Sequence, residues 1–265
     1  MFKGKTIVIT GGASGIGAAI VRRFGSQGAR IGILDFDKNS LDTIAAELTE
    51  AGIEISAHQC DVTNEEQCIK AMKEVVGRFG GVDVLVNNAG ITQRSLFRDT
   101  TVQVIRKVME VNFFGSINCT RAALESLIER KGMIIVITSI AGIAPLYGRT
   151  GYSASKHALH GFFESLRTEL KEIGVHVLMV SPGFTQTNLQ TRALDGTGKI
   201  NLRPRSIPGT QMTPESVAEA VYKGACRKKR SIVLTIMGKI SFLIIKFFSA
   251  FYERLMVRAV KKEFE

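Results

Sequence analysis

The chain has 265 residues, of which 45% are hydrophobic, and a formal net charge of +11. That length allows one α/β domain with a large core, and the composition excludes a disordered chain. Its four cysteines, Cys60, Cys68, Cys119 and Cys226, show no C-x-x-C spacing, and no signal peptide precedes the first apolar run. We therefore expect reduced thiols, no metal site and a cytoplasmic protein.

Short apolar runs alternate with amphipathic runs along the chain. The apolar runs predict strands near residues 5–10, 30–35, 54–59, 83–86, 132–138, 175–180 and 231–235. The amphipathic runs predict helices near residues 15–28, 39–52, 64–79, 100–130, 151–173 and 213–228. Strands that are apolar throughout are typical of sheets buried on both faces. The sequence therefore predicts a single α/β domain over residues 1–236, with a parallel seven-stranded sheet and helices on both faces.

A glycine-rich turn, Thr10-Gly11-Gly12-Ala13-Ser14-Gly15-Ile16-Gly17, joins the first strand to the first helix. Glycines there let the backbone turn sharply and let a pyrophosphate approach the helix N-terminus. The second strand ends at Asp35, where a carboxylate would accept hydrogen bonds from ribose hydroxyls and repel a 2′-phosphate. No basic residue lies in the glycine turn. These features predict a site for NAD rather than NADP; a structural turn and a strand-end aspartate are the alternatives.

Residues after the later strands would border the same site. Asp61 follows the third strand and would either contact the adenine edge or cap the next helix. Asn87-Asn88-Ala89-Gly90 ends the fourth strand, either as small residues that leave room for a cofactor or as a tight turn. Asn112 interrupts a helical run that its amide disfavours, which predicts a local break or a water-binding role.

The chemistry is predicted to centre on Ser139, Tyr152 and Lys156. Tyr152 and Lys156 are four residues apart and share a helix face, although a surface pair has the same spacing. A free phenol has a pKa near ~10, and a nearby ammonium favours the phenolate. Lowering that pKa to roughly 7 requires about 4 kcal/mol, which a lysine and an oxidised nicotinamide would supply together. The Ser139 hydroxyl would polarise a substrate carbonyl or orient an alcohol.

In order and spacing, these motifs resemble those of the short-chain dehydrogenase/reductase family over about residues 3–235. The family signature T-G-x-x-x-G-x-G is met by Thr10, Gly11, Gly15 and Gly17, and N-N-A-G by Asn87 to Gly90. The resemblance implies a Rossmann fold and a catalytic tetrad of Asn112, Ser139, Tyr152 and Lys156. In that tetrad Tyr152 would be the acid or base, Lys156 would lower its pKa and hold the nicotinamide ribose, and Asn112 would keep a relay water.

By the same resemblance NAD would lie across the carboxyl ends of the strands. The expected cofactor contacts are Gly11, Ala13, Ser14, Gly15, Ile16, Gly17, Asp35, Phe36, Asp61, Val62, Asn88, Ala89, Gly90, Val111, Tyr152, Lys156, Pro182, Gly183, Phe184 and Thr187. The expected substrate contacts are Ser139, Ile140, Leu146, Tyr147 and Tyr152. Residues 184–212 would cover the substrate, and Leu189, Leu194 and Met212 would either line an apolar pocket or be ordinary loop and core residues.

The predicted reaction is the NAD-dependent interconversion of a secondary alcohol and a ketone on an apolar, lipid- or steroid-like substrate. An NADPH-dependent carbonyl reductase is the alternative within enzymes, and a non-catalytic dinucleotide-binding sensor or scaffold is the alternative outside them. The resemblance also implies a homodimer or homotetramer. A basic chain can bind nucleic acid, but no aromatic-studded groove or reading motif accompanies the charge.

Residues 237–265 form a basic, amphipathic tail. Residues 223–265 carry eleven basic and three acidic residues, a net charge of +8, against +3 for the first 222 residues. Apolar residues recur at helical spacing at Ile240, Leu243, Ile244, Phe247, Phe248, Phe251 and Leu255. Lys239 and Lys246 interrupt this run before it reaches the length of a spanning helix. The composition favours an in-plane helix on an anionic membrane surface; a subunit interface and a cover over the chain's own cleft are the alternatives.

Overall fold

The fold is a seven-stranded parallel sheet between two layers of helices, as the sequence predicts. A computed structural model of the chain describes residues 1–189, 191–203 and 211–264. The strands are β1 Thr6–Thr10, β2 Arg30–Asp35, β3 Ile55–Gln59, β4 Val84–Asn87, β5 Met133–Ile137, β6 His176–Ser181 and β7 Ser231–Val233. They pair in the order β3-β2-β1-β4-β5-β6-β7. The strand order reverses between β1 and β4, and ligands of such sheets bind at the carboxyl ends beside that point.

The helices occupy both faces of the sheet. They are α1 Gly15–Gly25, α2 Lys38–Glu50, α3 Glu65–Phe79, α4 Val102–Met109, α5 Gly115–Glu129, α6 Thr150–Leu170, α7 Pro214–Cys226, α8 Ile236–Phe247 and α9 Ser249–Val260. One apolar core packs α1, α2 and α7 on the sheet, and a second packs α3, α5 and α6 on the other face. Side chains alternate along a strand, so Ile7 and Ile9 of β1 enter the first core while Val8 enters the second.

The long helix predicted over residues 100–130 is broken where Asn112 interrupts it. A single wide π-helical turn, Glu110–Phe114, separates α4 from α5. Such a turn inserts one extra residue into a helix and is frequent at functional sites. Asn112 is fully buried there, and its amide bonds to groups outside its own helix. The expected local break is therefore present, and it turns this side chain toward the loop after β4.

The basic tail forms two short helices rather than one long one. They meet at Phe248, whose φ of −138° and ψ of 52° are not helical. Thr235 caps α8 by accepting a hydrogen bond from the Gly238 N–H at 3.0 Å. Neither helix exceeds 12 residues, and within the described part of the chain no helix has the length and hydropathy to cross a bilayer.

Candidate active site

A large cavity opens at the carboxyl ends of the parallel strands. Its volume is about 1180 Å³, and every strand from β1 to β6 contributes residues from the loop that follows it. Its far wall comes from α8 and α9, called the roof helices below. The strand ends, the start of α1, the start of α6 and the roof helices therefore enclose one continuous space.

The glycine turn after β1 is shaped for close backbone approach. Gly11 has a φ of +61°, and a Cβ there would lie 2.9 Å from the Ala89 Cα. A Cβ on Gly17 would lie 2.0 Å from the Gly11 carbonyl oxygen, so no side chain is tolerated at that position. Ser14 precedes α1 in an extended conformation, and Ser14, Gly15 and Ile16 line the cavity. The amide end of α1 thus faces the crevice, which is the arrangement that holds a pyrophosphate.

Asp35 links the end of β2 to the glycine turn. Its carboxylate accepts the Ala13 N–H at 2.9 Å through Oδ2 and the Asp37 N–H at 3.0 Å through Oδ1. Each oxygen keeps a further lone pair, and the residue lines the cavity as a ribose-binding carboxylate would. Arg192, a residue missed by the sequence reasoning, lines the same end, with its Nη2 3.5 Å from Asp37 Oδ2. A carboxylate and a guanidinium therefore lie at the same end of the cavity.

The loop after β4 is fastened to the same turn. The Asn88 Nδ2 donates to the carbonyl oxygens of Thr10 and Gly11, both at 3.0 Å. In return the Thr10 hydroxyl oxygen accepts the N–H groups of Asn88 and Ala89, both at 3.0 Å. Ala89 and Gly90 remain in the cavity wall. The loop is therefore a brace between two strands as well as a small-residue opening.

Asp61 does not cap α3, and its predicted contact with the adenine edge remains a prediction. Its Oδ1 accepts the Thr63 N–H at 2.9 Å and the Thr63 hydroxyl at 2.8 Å, which stabilises the turn before α3. The cap of α3 itself is Asn64, which accepts the Gln67 N–H at 3.0 Å. Asp61 and its neighbour Val62 both line the cavity.

Tyr152, Ser139 and Lys156 converge on one wall of the cavity. Tyr152 lies in the first turn of α6 and is 8% exposed, and the neighbouring Ser139 hydroxyl lowers the pKa of its phenol against the effect of burial. The Ser139 Oγ accepts the Ala141 N–H at 3.1 Å, which fixes its direction. Lys156, one turn further on, lies with Nζ 5.8 Å from the Tyr152 ring centre and donates to the Ile137 carbonyl at 2.9 Å. A phenol, a hydroxyl and an amine therefore share one buried corner.

The electrostatics of this corner differ from the expectation for Tyr152. Burial raises the pKa of Tyr152, against smaller lowering effects from the Ser139 hydrogen bond and the Arg149 charge. Burial also lowers the pKa of Lys156 to about 8. Loss of water disfavours the charged form of each group, so the two shifts have opposite signs. The protein alone does not lower the pKa of the phenol, because both partners are desolvated together.

Asn112 lies behind the site rather than in its wall. Its Oδ1 accepts the Ile91 N–H at 2.8 Å, and its Nδ2 donates to the Ile91 carbonyl at 2.9 Å and to the Ser155 hydroxyl at 2.8 Å. Ser155 in turn donates to the Tyr152 carbonyl at 2.8 Å. The side chain thus joins the loop after β4 to the helix that carries Tyr152. Its expected water-holding role remains a prediction.

Most of the expected site residues line the cavity; four do not. Ala13, Gly17 and Asn112 support the wall from behind. Tyr147, expected at the substrate, lies outside the lining, and its ring packs edge-on against Phe264 with centroids 5.5 Å apart. Of the cover residues, Leu189 and Leu194 line the cavity, whereas Met212 packs against the first core instead. Gln190 and residues 204–210 of that cover lie outside the described residues.

The roof helices supply site residues that the sequence reasoning missed. Those that line the cavity are Ile240, Ser241, Ile244, Tyr252, Leu255, Met256 and Ala259. The sequence shows that apolar residues recur at helical spacing in this segment. It does not show that the apolar face of the helices packs over the cavity. Of the three interpretations of the tail, the cover over the chain's own cleft is the one that matches this lining. Phe247, Phe248 and Phe251 still point outward, at 71%, 67% and 56% exposed.

A dinucleotide-dependent oxidoreductase needs a helix N-terminus that can bind the pyrophosphate and an acid–base group near the nicotinamide. This crevice contains both the N-terminus of α1 and the buried pair of Tyr152 and Lys156. Residues 5–197 also match the family model described as short chain dehydrogenase. The chain belongs to the short-chain dehydrogenase/reductase family. It is therefore an oxidoreductase of CH–OH donors, built to use NAD or NADP with a small-molecule substrate.

Known proteins of this family resemble the chain over nearly its whole length. Dehydrogenase/reductase SDR family member 7B of Danio rerio is 35% identical over 268 residues, which cover 98% of this chain and 86% of that protein. The protein of that name from Mus musculus is 35% identical over 266 residues, with 97% and 81% covered. Among solved structures, a short chain dehydrogenase/reductase from Burkholderia phymatum in complex with NAD shares the fold. Its TM-score is 0.85, at 22% identity, with 94% of this chain and 95% of that one covered.

A second solved structure is closer in sequence. An alcohol dehydrogenase from the archaeon Thermococcus sibiricus, complexed with 5-hydroxy-NADP, is 28% identical. Its TM-score is 0.74, with 87% of this chain and 95% of that chain covered. The two structures thus hold different dinucleotides in one fold, so the likeness leaves the choice between NAD and NADP to this chain's own residues.

Proposed function

We propose that the protein is an NAD-dependent oxidoreductase that interconverts a secondary alcohol and a ketone on an apolar, lipid- or steroid-like substrate. The observation that carries the proposal is the buried corner of Ser139, Tyr152 and Lys156 in a cavity of about 1180 Å³. Away from the cofactor crevice, side chains such as Ile140, Ile244 and Leu255 line that cavity, so an apolar body suits it better than a sugar.

The residues present fit a dinucleotide. The glycine turn leaves backbone where any Cβ would collide, and the start of α1 would hold the pyrophosphate. Asp35 would hold the adenosine ribose, and the cavity-lining Pro182, Gly183, Phe184 and Thr187 would border the nicotinamide end. When bound, the cofactor supplies the hydride or accepts it.

The chain's own residues handle the proton. In reduction, the Tyr152 hydroxyl gives its proton to the forming alkoxide oxygen; in oxidation, the phenolate takes the alcohol proton. Ser139, whose hydroxyl lies close enough to lower the pKa of that phenol, would hold the substrate oxygen beside it. Lys156, with its pKa near 8, is mostly protonated at neutral pH, and its charge favours the phenolate. Asn112 Oδ1 and Lys156 Nζ both lie beside Gly90, which supports a relay water between them.

The NAD preference of the proposal rests on Asp35. We expect wild-type protein to bind NADH about tenfold or more tightly than NADPH, because a carboxylate at this position repels a 2′-phosphate. In Asp35→Ala the difference between the NADH and NADPH dissociation constants should become smaller. The charge that repels the 2′-phosphate is gone, and Arg192 remains nearby. Fluorescence titration with both reduced cofactors measures the two dissociation constants.

Asp42→Ala is the matched control for this titration. Asp42 is an exposed carboxylate on α2, paired with Lys38 and absent from the cavity wall. It should change neither constant. Tighter binding of NADPH than of NADH by the wild type would favour the NADPH-dependent carbonyl reductase instead, with Arg192 as the phosphate ligand.

A substrate screen followed by NADH absorbance tests the reaction itself. It should compare straight-chain ketones of increasing length, steroid ketones and sugars at one enzyme concentration. We expect turnover to favour the long apolar ketones, because the roof helices extend the apolar wall beyond the catalytic corner. Turnover of sugars alone would exclude the apolar substrate class. A complete lack of turnover would favour the non-catalytic sensor or scaffold, although all four tetrad residues are present.

We further propose that the protein is cytoplasmic and touches anionic membranes through the outer face of residues 237–265. Phe247, Phe248 and Phe251 are exposed there, and the basic side chains Lys246 and Arg254 lie on the same two helices. Exposed aromatic residues beside basic ones are typical of segments that lie in a membrane interface. The contact would place the mouth of an apolar cavity near a source of apolar substrate.

Replacement of two of these rings tests the membrane contact. Phe247→Asp with Phe251→Asp should lower binding to phosphatidylserine-containing vesicles by about tenfold or more, because insertion of a phenyl ring contributes about 1.5–3 kcal/mol. Ile69→Asp, which replaces an exposed apolar residue on α3, is the control. Cosedimentation with the vesicles measures the effect. Equal sedimentation of the double variant and the wild type would remove the membrane from the proposal.

We also propose a homodimer or homotetramer, by analogy with the family. Two features favour an interface between subunits. One is the long helix α6, and the other is the exposed Phe114 beside it, whose ring packs edge-on against Phe113. Light scattering after size exclusion gives the mass directly. A monomer at micromolar concentration would contradict the assembly and leave the catalytic proposal intact.

A further inference from the structure

Glu263 and Phe264, near the C-terminus, pack into the protein rather than lying on its surface. Glu263 is buried between two arginines: its Oε2 lies 3.0 Å from Arg149 Nη2 and 3.9 Å from Arg94 Nη1. The carboxylate side chain is 1% exposed and each arginine side chain 4%. Ion pairs with so little contact with water are rare, and loss of one partner leaves a charge stranded in a medium of low dielectric.

The neighbouring Phe264 fits into the same place. Its ring stacks edge-on with Tyr147 and lies 5.7 Å from the Arg149 guanidinium. It also fills the space above Gly148, where a Cβ would lie 2.0 Å from the ring. Glu263 and Phe264, called the C-terminal anchor below, therefore occupy a socket formed by the residues just before α6.

This socket adjoins the residues that position Tyr152. Arg149 is the residue before α6, three positions ahead of Tyr152. Arg94 follows Gln93, whose Oε1 accepts the Tyr152 N–H at 2.9 Å. Arg94 also donates to Asn201 Oδ1 at 3.0 Å, so the cover segment is tied to the same point. Three parts of the substrate end, namely the catalytic helix, the cover and the roof helices, thus meet at one buried cluster.

The anchor is where the end of the roof is attached. The roof helices leave the sheet after β7 at Thr235, cross the cavity and end at Val260, three residues before Glu263. Much of their outer surface is exposed, at Phe247, Phe248 and Phe251. Val260 is 1% exposed and Tyr252 6%. The roof is therefore tethered by the chain at one end and by the Glu263 cluster at the other.

We propose that Glu263 is a positioning residue that fastens the roof helices over the cavity and so sets the affinity for long apolar substrates. The inference rests on the proposed function for its substrate class. A ketone long enough to reach Ile244, Leu255 or Met256 depends on the roof, whereas a small ketone that reaches only Ser139 and Tyr152 does not. Loss of the anchor should therefore weaken the affinity for long substrates more than for short ones. It should leave the rate of the chemical step unchanged, because the anchor does not touch the reacting atoms.

The test compares Glu263→Gln with Glu253→Gln, which removes an exposed carboxylate from the same tail. The first readout is the dissociation constant and KM for 2-tridecanone and for cyclohexanone with the cofactor-loaded enzyme, together with kcat. The second readout is amide hydrogen exchange of residues 236–260, which needs no turnover. For Glu263→Gln we expect about a tenfold weaker affinity for 2-tridecanone, little change for cyclohexanone or kcat, and faster exchange in the roof. Glu253→Gln should match the wild type in both.

Several results would overturn the inference. One is a 2-tridecanone affinity within about twofold of wild type, even with faster exchange in the roof. Another is an equal loss for both ketones, which would indicate general unfolding. If Glu263→Gln does not fold, Phe264→Leu keeps the charges and should show a smaller shift of the same pattern; no shift overturns the proposal. Wild-type protein that binds neither ketone would reject the proposed substrate class, while the exchange comparison would still show whether Glu263 holds the roof.

Discussion

Tyr152→Phe should reduce turnover by about a thousandfold or more while NADH binding stays within about twofold of wild type. The substitution removes one oxygen, and with it the proton that the substrate oxygen needs in the transition state. The ring remains, so its packing against Val108 and Ala141 is preserved. Steady-state kinetics on the best ketone from the screen and a fluorescence titration with NADH measure the two effects separately.

Tyr222→Phe is the matched control for that experiment. Tyr222 lies on α7, on the opposite face of the sheet from α6, and its hydroxyl donates to Gln27 Oε1 at 3.3 Å. It should leave kcat and NADH binding unchanged. Turnover by Tyr152→Phe within about tenfold of wild type would reject the phenol as the acid and base.

Gly17→Ala should abolish cofactor binding and destabilise the fold. The new methyl group would lie 2.0 Å from the Gly11 carbonyl oxygen and 2.7 Å from the Asn88 amide nitrogen. Either the start of α1 or the glycine turn has to move, and the bonds from Asn88 to this turn would be lost with it. We expect NADH affinity to fall by about a hundredfold or more, with a stability loss of about 1–3 kcal/mol from the forced overpacking.

Gly77→Ala is the control, because it adds the same methyl group at a position where it meets no neighbouring atom. Gly77 is an exposed position in α3, and a Cβ there has no neighbour within 4 Å. Since alanine stabilises helix interiors, this variant should gain about 0.5–1 kcal/mol and bind NADH normally. Thermal unfolding and NADH titration of the two variants side by side give the comparison. Normal NADH binding by Gly17→Ala would show that the turn does not cradle the pyrophosphate.

The sheet and its crevice were predictable from local patterns. Each buried strand is a short apolar run in the sequence. Gly11 and Gly17 lie where one backbone segment packs directly on another, and only glycine fits there, so the motif itself reveals the turn. The break at Asn112 was predictable for a similar reason, because an amide in a helix interior competes with the helix for hydrogen bonds. The hydrogen bonds of Asn112 with Ile91 and Ser155 were not predictable, because these partners lie 21 and 43 positions away in the sequence.

The substrate end was less predictable because its contacts are long-range. Glu263 and Arg149 are 114 residues apart, and neither has a neighbour in sequence that marks it as a partner. The same apolar spacing in the tail suits a membrane, a second subunit or the chain's own cavity, and periodicity cannot distinguish them. Tyr147 illustrates the consequence: it adjoins the catalytic segment in sequence, yet its ring packs on Phe264, the other end of the chain.

The pKa values of the catalytic pair were also beyond the sequence. The spacing of Tyr152 and Lys156 shows that they share a face, but not that both are removed from water. Because burial opposes charge on each, the phenolate needs a further positive charge to form at neutral pH. In the proposed mechanism an oxidised nicotinamide would supply that charge, so the phenol would ionise more readily when the cofactor is bound.

Transfer of deuterium from NADH labelled at the nicotinamide C4 tests the central claim most directly. Wild-type protein, 2-tridecanone and NADH deuterated on one face or the other would be incubated, and the alcohol product examined by mass spectrometry. We expect a single deuterium in the alcohol from one of the two labelled cofactors, and no product with Tyr152→Phe. Product without deuterium from either face, or equal product from the phenylalanine variant, would contradict hydride transfer at this site.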